Sequence, residues 1–492
     1  MIPSAPITAI ALLALAIWVT LLVARGGFWR CAERDDRDEP AAGPLRWPSV
    51  VAVVPARNEA DMLAHSLGSL LGSEYPGPFS VILVDDNSDD GTLALARELA
   101  ARAAGRLTVV AGTPLPVGWT GKLWAMHQGI ARAEALAAAP DYLLLTDADI
   151  GYRPRALQAL VQRAEAGGLV MVSLMAKLRC RSRAERALIP AFIFFFQMLY
   201  PFAWVNRGDT RKAAAAGGCM LVRRTALAAA GGVASIRDAL IDDCALAARL
   251  KQQGPIWLGL TERVSSLRPY PSFGDIRRMV ARSAYAQLRY SPWILAGTVA
   301  ALALAYLAAP LIALLGSGVA QALATVAWIL IAVAFWPTVR FYRGSPIWAP
   351  LLPAIAAIYL GFTLDSAREH MRGRGGRWKG RTQALPAESP SPLHEPQLRG
   401  ALPPGPNTSF GTENQEDRPR GGSAGPRLAL QGEPAAALLR GASRNPASGP
   451  RLALQGEPAA AARGGASRNP ASAPIEHPPR HSRASRWRTR GP

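Results

Sequence analysis

A charge-free apolar run from about Ile7 to Ala24 constrains this chain more than any other feature, because it is roughly as long as a helix must be to cross a bilayer core. Arg25, Arg30, Arg34 and Arg37 follow it at once. A secretory leader carries its positive charge before the apolar stretch and ends at a small-residue cleavage site. The reversed polarity here reads as a retained anchor over residues 5–24, with its C-terminal end facing the cytoplasm by the positive-inside tendency. Three further runs, Trp293–Leu315, Val319–Val339 and Ile347–Leu364, imply two or three membrane helices over residues 292–365. Three crossings would carry the basic segment Arg372–Arg381 to the far side, against the same tendency, so one of them is a candidate for a re-entrant or surface segment. The Phe-rich run Leu188–Val205 would separate acidic residues that belong together if it spanned, and it is expected on the membrane surface or packed in the domain.

Between the anchor and the later runs, residues 49–291 alternate short apolar strands with amphipathic helices. Val50–Val54, Val81–Val84, Leu107–Ala111 and Tyr142–Leu145 read as strands, and Ala60–Leu71 and Thr92–Ala104 as helices. Such alternation implies βαβ units and a mostly parallel sheet in an α/β, Rossmann-like fold. Ligands then sit beyond the carboxyl ends of the strands. Asp85-Asp86 and Asp147 lie at those ends.

Composition refines this outline. The formal net charge is +20, and the segment from Ser366 onward holds 20 Lys and Arg against 9 Asp and Glu. Membrane segments make anionic lipid a better partner for that charge than nucleic acid, and the tail lacks the interleaved aromatics of a single-strand binder. Residues 366–492 are rich in Pro, Gly, Ser and Arg, and Gly425–Ser448 recurs as Gly449–Ser472; this segment is expected to be disordered. The four cysteines, Cys31, Cys180, Cys219 and Cys244, show no metal-like spacing and read as reduced thiols.

The acidic residues suit the transfer of a sugar from a nucleoside diphosphate, which needs a nucleoside pocket, a cation to neutralise the diphosphate and a base for the acceptor hydroxyl. Pro55, Arg57 and Glu59 follow the first strand and Asp86 the second, where they could grip base and ribose. Asp147 and Asp149 form a DxD after the fourth strand, suited to ribose and a hard cation such as Mg²⁺ or Mn²⁺. Asp243, beside Asp242 in a helical context, is the candidate base. Any one pair alone is an ordinary acidic turn or a solvated helix face; the order and spacing together carry the reading. His127 reads as a satisfied polar residue and Cys244 as a small buried one.

That order resembles family-2, GT-A-fold glycosyltransferases, which show a strand-end Asp, a DxD and an ED-x-x-L helix. Gly121-Lys122 through Ala125, His127 and Gly129 resembles the family's GK-x-x-A-x-N-x-G segment, with His127 in place of Asn. Gly217-Gly218 through Gly231-Gly232 resembles the stretch preceding the base. The PARNEA and VDDNSDDGT wording and Gln287–Pro292 look most like the hopanoid-associated members. The resemblance implies nucleoside contact by Asp86, metal and diphosphate binding by Asp147 and Asp149, and base catalysis by Asp243; Lys122, in its glycine-led turn, reads either as a phosphate contact or as a surface lysine. Asp242 stands where the family usually has Glu. The processive members' Q/R-x-x-R-W is unmet, since Arg278 and Arg282 are followed by Ser283, so a single transfer is expected. Arg278 and Arg282 on one helix face could hold diphosphate or lipid phosphate. The expectation is therefore an inverting, multi-pass inner-membrane enzyme with a cytoplasmic catalytic domain, a UDP-sugar donor and a hopanoid or isoprenoid-related lipid acceptor. Transfer to a polyprenyl phosphate or a sphingolipid-like acceptor, or a silent nucleotide-sugar-binding scaffold, are the alternatives.

Overall fold

The computed structural model of the protein describes residues 4–37, 43–372 and the two short strands Arg377–Trp378 and Arg381–Thr382. The expected disorder of the tail and its tandem copy lie outside the described residues.

The chain opens with α1 (Ser4–Ala24) and then builds an alternating series: β1 (Val50–Ala56), α2 (Ala60–Leu71), β2 (Phe79–Asp85), α3 (Thr92–Arg102), β3 (Leu107–Ala111), α4 (Gly121–Glu134), β4 (Tyr142–Thr146) and β5 (Ile150–Tyr152). α5 (Ala156–Ala166), β6 (Met171–Lys177), α6 (Arg183–Leu199) and the single-turn α7 (Phe202–Val205) follow. Next come β7 (Cys219–Arg223), α8 (Arg224–Ala229), α9 (Asp242–Leu250), β8 (Ile256–Ser266), α10 (Phe273–Ala281) and the short α11 (Ala284–Gln287). The eight strands form one sheet in the order β3-β2-β1-β4-β7-β6-β8-β5. β1 pairs in parallel with β2 and β4, β2 with β3, and β6 with β8. β7 runs antiparallel between β4 and β6, and β5 runs antiparallel to β8. This is the GT-A-like sheet with flanking helices, its parallel majority interrupted by β7. The reversal has a simple cause. The chain leaves β6 at the carboxyl end, runs through α6 and α7, and re-enters the sheet from that same end.

Both faces of the sheet are covered, which is why its central strands read as continuous apolar runs. Along β1, Val51 and Val53 join one core while Val50, Ala52 and Val54 join the other, under Leu63, Leu67 and Leu70 of α2. α4 covers the first face at close range. A Cβ at its Gly129 would lie 2.4 Å from a Val53 methyl, so only glycine permits this approach.

Among the described residues, three helices are long and apolar enough to cross a membrane: Ala5–Ala24, Pro292–Leu315 and Gly318–Phe341. The second comprises α12 (Pro292–Leu302) and α13 (Ala308–Leu315), joined by a π-turn over Ala303–Leu307. It forms a hairpin with α14 (Gly318–Phe341), and Gln321 donates to the Ala313 carbonyl across the turn at 3.0 Å. The third expected C-terminal crossing takes a different form. Trp328 Nε1 donates to the Pro350 carbonyl at 2.8 Å, so the segment after α14 doubles back along it. α15 (Leu352–Met371) then returns to the catalytic domain, where Tyr359 Oη donates to the Leu188 carbonyl at 2.8 Å and Asp365 pairs with Arg277 at 2.7 Å. Asp365, Arg368 and Glu369 in its second half explain why α15 is not among the membrane-length apolar helices. The run Leu188–Val205 likewise forms no candidate span. It becomes α6, opened by a Ser182–Glu185 capping box, and α7. α6 packs against α10, α14 and α15, with the Phe194 and Phe335 rings 5.3 Å apart.

Candidate functional site

The first strand end holds its loop together with side chains. Arg57 Nη1 donates to the Asp86 and Asn87 carbonyls, and Asp85 accepts from the Ser88 N–H at 3.1 Å. Asp90 accepts from the Ala60 N–H at 3.1 Å and the Thr92 N–H at 3.0 Å. Asn58 and Asn87 both take φ of 52°, a backbone region that asparagine tolerates better than most residues. Asp86 is buried, with its carboxylate 3.9 Å from Arg57.

Beside this loop opens a polar cleft of about 530 Å³ at the carboxyl end of the sheet. Among the sequence candidates, Pro55, Glu59, Lys122, Asp147, Asp149, Asp242, Arg278 and Arg282 line it, whereas Arg57 and Asp86 do not. Lys122, in the first turn of α4 behind the Thr120 cap, reaches between two elements: its Nζ lies 2.9 Å from Asp147 and 3.1 Å from Asp242. Burial pulls the Lys122 ammonium down, but Asp147 and Asp242 outweigh it, and the net shift is upward. Burial raises the Asp147 carboxyl, with Lys122 opposing.

Asp243 points the other way. Its Oδ2 accepts from the Gly217 N–H at 2.9 Å and its Oδ1 from the Cys244 N–H at 2.7 Å. Gly217 is delivered by the chain entering β7, and a Cβ there would press 3.2 Å from Lys122 Nζ and 3.4 Å from Asp243 Oδ2. Burial and the neighbouring Asp242 push the Asp243 carboxyl up to about 6, against the pull of Lys122. Asp243 lines a second cavity, a mostly apolar groove of about 290 Å³ that shares Leu240, Asp242 and Arg282 with the cleft. Phe192, Phe195, Phe196 and Tyr200 of the α6 region form one wall of this groove, and Tyr359 of α15 closes it. Tyr200 and Gln287 exchange hydrogen bonds at its edge.

One central residue escaped sequence reasoning. Arg268, just past β8, donates from Nε to Asp149 at 2.7 Å and from Nη2 to both oxygens of Glu59 at 2.7 and 2.5 Å. Its position follows from β8 ending at the cleft, and β8 carries no acidic cluster that would have marked it. His127 stacks with Trp124 at 5.5 Å and stays outside the cleft lining.

Among the described residues no group of three or more His, Cys, Asp or Glu could hold a metal alone. Mg²⁺-type sites, however, often take only one or two carboxylates and complete their shell with substrate phosphates and water. Asp147 and Asp149 fit that mode, each having one carboxylate oxygen engaged by Lys122 or Arg268.

Residues 51–231 match the family described as Glycosyl transferase family 2. Two curated relatives, both 4,4'-diaponeurosporenoate glycosyltransferases from Staphylococcus aureus (strains MRSA252 and bovine RF122 / ET3-1), are 28% identical over 121 residues. The match spans 24% of this chain and 29% of the relatives' own length. Among solved structures, the mannosyltransferase PcManGT from Pyrobaculum calidifontis, in complex with GDP-Man and Mn²⁺, aligns over 75% of this chain and 99% of its own, at 20% identity and a TM-score of 0.48. Mannosyl-3-phosphoglycerate synthase from Rubrobacter xylanophilus aligns over 50% of this chain and 77% of its own, at 20% identity and a TM-score of 0.30. The part of the chain that matches glycosyl transferase family 2 thus runs from β1 to just past α8, and the acidic cleft described above is lined by residues within it and C-terminal to it.

Proposed function

We propose that the protein is an inverting glycosyltransferase that moves a sugar from a nucleotide sugar to a hydroxyl of a membrane lipid. The observation that carries this reading is the meeting of two unlike cavities at Asp242-Asp243: a charged cleft on one side and an aromatic-lined groove on the other. The cleft suits a sugar diphosphate, with Lys122, Arg268, Arg278 and Arg282 available to its phosphates. The groove suits an apolar chain or ring system. Asp243 takes the proton from the acceptor hydroxyl as that oxygen attacks the anomeric carbon, and the bond to the diphosphate breaks on the opposite face. A divalent ion held by Asp149 and Asp147 would supply charge neutralisation to the departing diphosphate.

A hydroxyl acceptor is favoured over a lipid phosphate because a phosphate is already ionised and the adjacent carboxylates would repel it. The names of the curated relatives support a lipid-like acceptor, and the resemblance to hopanoid-associated transferases points to a hopanoid or related isoprenoid alcohol. We place the catalytic domain on the cytoplasmic side of a bacterial inner membrane. With α1 entering, the α12–α14 hairpin crossing twice and α15 returning, α15 ends on the domain's side, in keeping with the positive-inside tendency.

The test uses membranes from cells expressing the wild type or Asp243→Asn, incubated with labelled UDP-sugars and Mn²⁺, followed by mass spectrometry of the lipid extract. A sugar-shifted lipid with the wild type alone supports the transferase and names its acceptor. Nucleotide-sugar binding without any shifted lipid, whatever the donor, would instead make the protein a binding scaffold.

A further inference from the structure

A third cavity, remote from the catalytic residues, gathers unusual charge. It measures about 400 Å³ and is lined by Arg30, Arg34, Arg37, Arg340 and Arg343, with Glu262 as its one lining carboxylate. The arginines come from two distant segments, the loop after α1 and the end of α14. These segments meet because α1 and α14 pack along each other with their C-terminal ends together, where Cys31 Sγ lies 3.4 Å from Thr338 Oγ1.

Two carboxylates at the cavity, Glu262 and Asp36, are already engaged. Lys177 Nζ holds Glu262 at 2.6 Å, whereas Arg343 is 3.9 Å from it and mostly exposed. Arg34 pairs with Asp36 and lies over the Phe341 ring, 4.8 Å from its centroid. Arg30 and Arg340 are exposed and form no ion pair among the described residues. Trp336, Pro337 and Phe341 add an apolar side to the same cavity. Guanidinium forks match phosphate oxygens in pairs, and basic pockets between membrane helices suit anionic headgroups.

We propose that this cavity is a binding site for the phosphate headgroup of an anionic phospholipid, seated where α1 and α14 leave the membrane. A lipid is the occupant, rather than a free anion, because the arginines sit at the ends of two membrane-length helices and the apolar side can meet the first acyl carbons. The inference needs the helices to lie in a bilayer and does not depend on the catalytic reading.

The test is made on the full-length protein, delipidated in mild detergent and titrated with short-chain phosphatidylglycerol, short-chain phosphatidylcholine or inorganic phosphate, with bound lipid counted by native mass spectrometry. The wild type is expected to retain phosphatidylglycerol at least tenfold more tightly than phosphatidylcholine. Arg30→Gln/Arg340→Gln, and separately Arg37→Gln/Arg343→Gln, should lose most of that preference, while the control Arg97→Gln/Arg132→Gln, which removes exposed charge on α3 and α4, should keep it. Equal retention of both lipids by the wild type would overturn the proposal. So would an equal loss in the control, or displacement of phosphatidylglycerol by inorganic phosphate at the same concentration. All the substituted arginines are exposed, so two independent pairs guard against one variant misfolding.

Discussion

Two sets of aspartates stand at the carboxyl end of one sheet and do opposite work. In the loop after β2, the carboxylates of Asp85 and Asp90 are spent on backbone N–H groups of Ser88, Ala60 and Thr92, which fixes the loop's shape. Around the cleft, Asp147, Asp149 and Asp242 are matched by the side chains of Lys122 and Arg268. A backbone partner cannot leave, whereas a lysine or arginine can turn to a phosphate. The first set is architecture. The second is a charge network that an incoming anion or cation can rearrange.

Asp243 belongs to neither set, because it accepts from the Gly217 and Cys244 N–H groups and yet lines the groove, and the largest effect is expected there. Asp243→Asn should lower kcat by roughly 10²–10⁴-fold, the range for removal of a general base, while nucleotide-sugar binding persists. Its thermal midpoint near neutral pH should stay close to that of the wild type, because a carboxyl raised by burial costs the fold stability when ionised, and removing that charge offsets the hydrogen bond lost. The pH profile sharpens the assignment. Asp243 must be ionised to accept a proton, so kcat/KM should fall about tenfold per unit as pH drops below about 6, where an ordinary aspartate would remain charged. An acid limb near 4 would transfer the role to another group.

Lys122→Met is the next largest. It leaves Asp147 and Asp242 facing each other without their shared cation, with the Lys122 side chain only 14% exposed in the native protein. Removing one partner of such a pair costs about 3 kcal/mol, read as a lowered denaturation midpoint, together with a loss of donor affinity. Arg268→Ala should act differently. It frees Asp149 and Glu59, so added Mn²⁺ should raise its melting temperature more than that of the wild type. An identical Mn²⁺ response in both proteins would remove Asp149 from the metal assignment.

Much of this arrangement is legible in the sequence. β1, β2 and β4 are buried along most of their length and therefore read as apolar runs, and the acids at the ends of β2 and β4 followed from strand direction alone. The direction of β7 was hidden, because it depends on where the chain re-enters after α6 rather than on any local pattern. Arg268 was hidden with it, as a single arginine past a strand that no acidic cluster announced. Asp242 and Asp243 were found as a pair, but their division between a cleft and a groove is set by helix rotation against Gly217 and α6, which adjacency in sequence does not encode. The charge balance after the third C-terminal run raised a re-entrant or surface segment as one option, but apolar length alone could not show which run doubles back, because that depends on the Trp328–Pro350 contact.

The smallest effect belongs to Asp90, and it tests the comparison from the architectural side. Its carboxylate ties the first turns of α2 and α3 together through the Ala60 and Thr92 N–H groups and reaches Thr92 Oγ1 as well. Asp90→Ala removes these acceptors at an exposed position where water can replace part of what is lost, so the expected cost is about 1 kcal/mol, similar to loss of a helix cap. Thermal denaturation should show that shift while kcat stays within about twofold of wild type. KM for the donor should rise modestly, because Asp90 ties together the two loops that carry Arg57 and Asp86. A collapse of kcat as deep as that of Asp243→Asn, in a protein that still melts cooperatively, would place Asp90 among the displaceable charges and dissolve the distinction between the two sets.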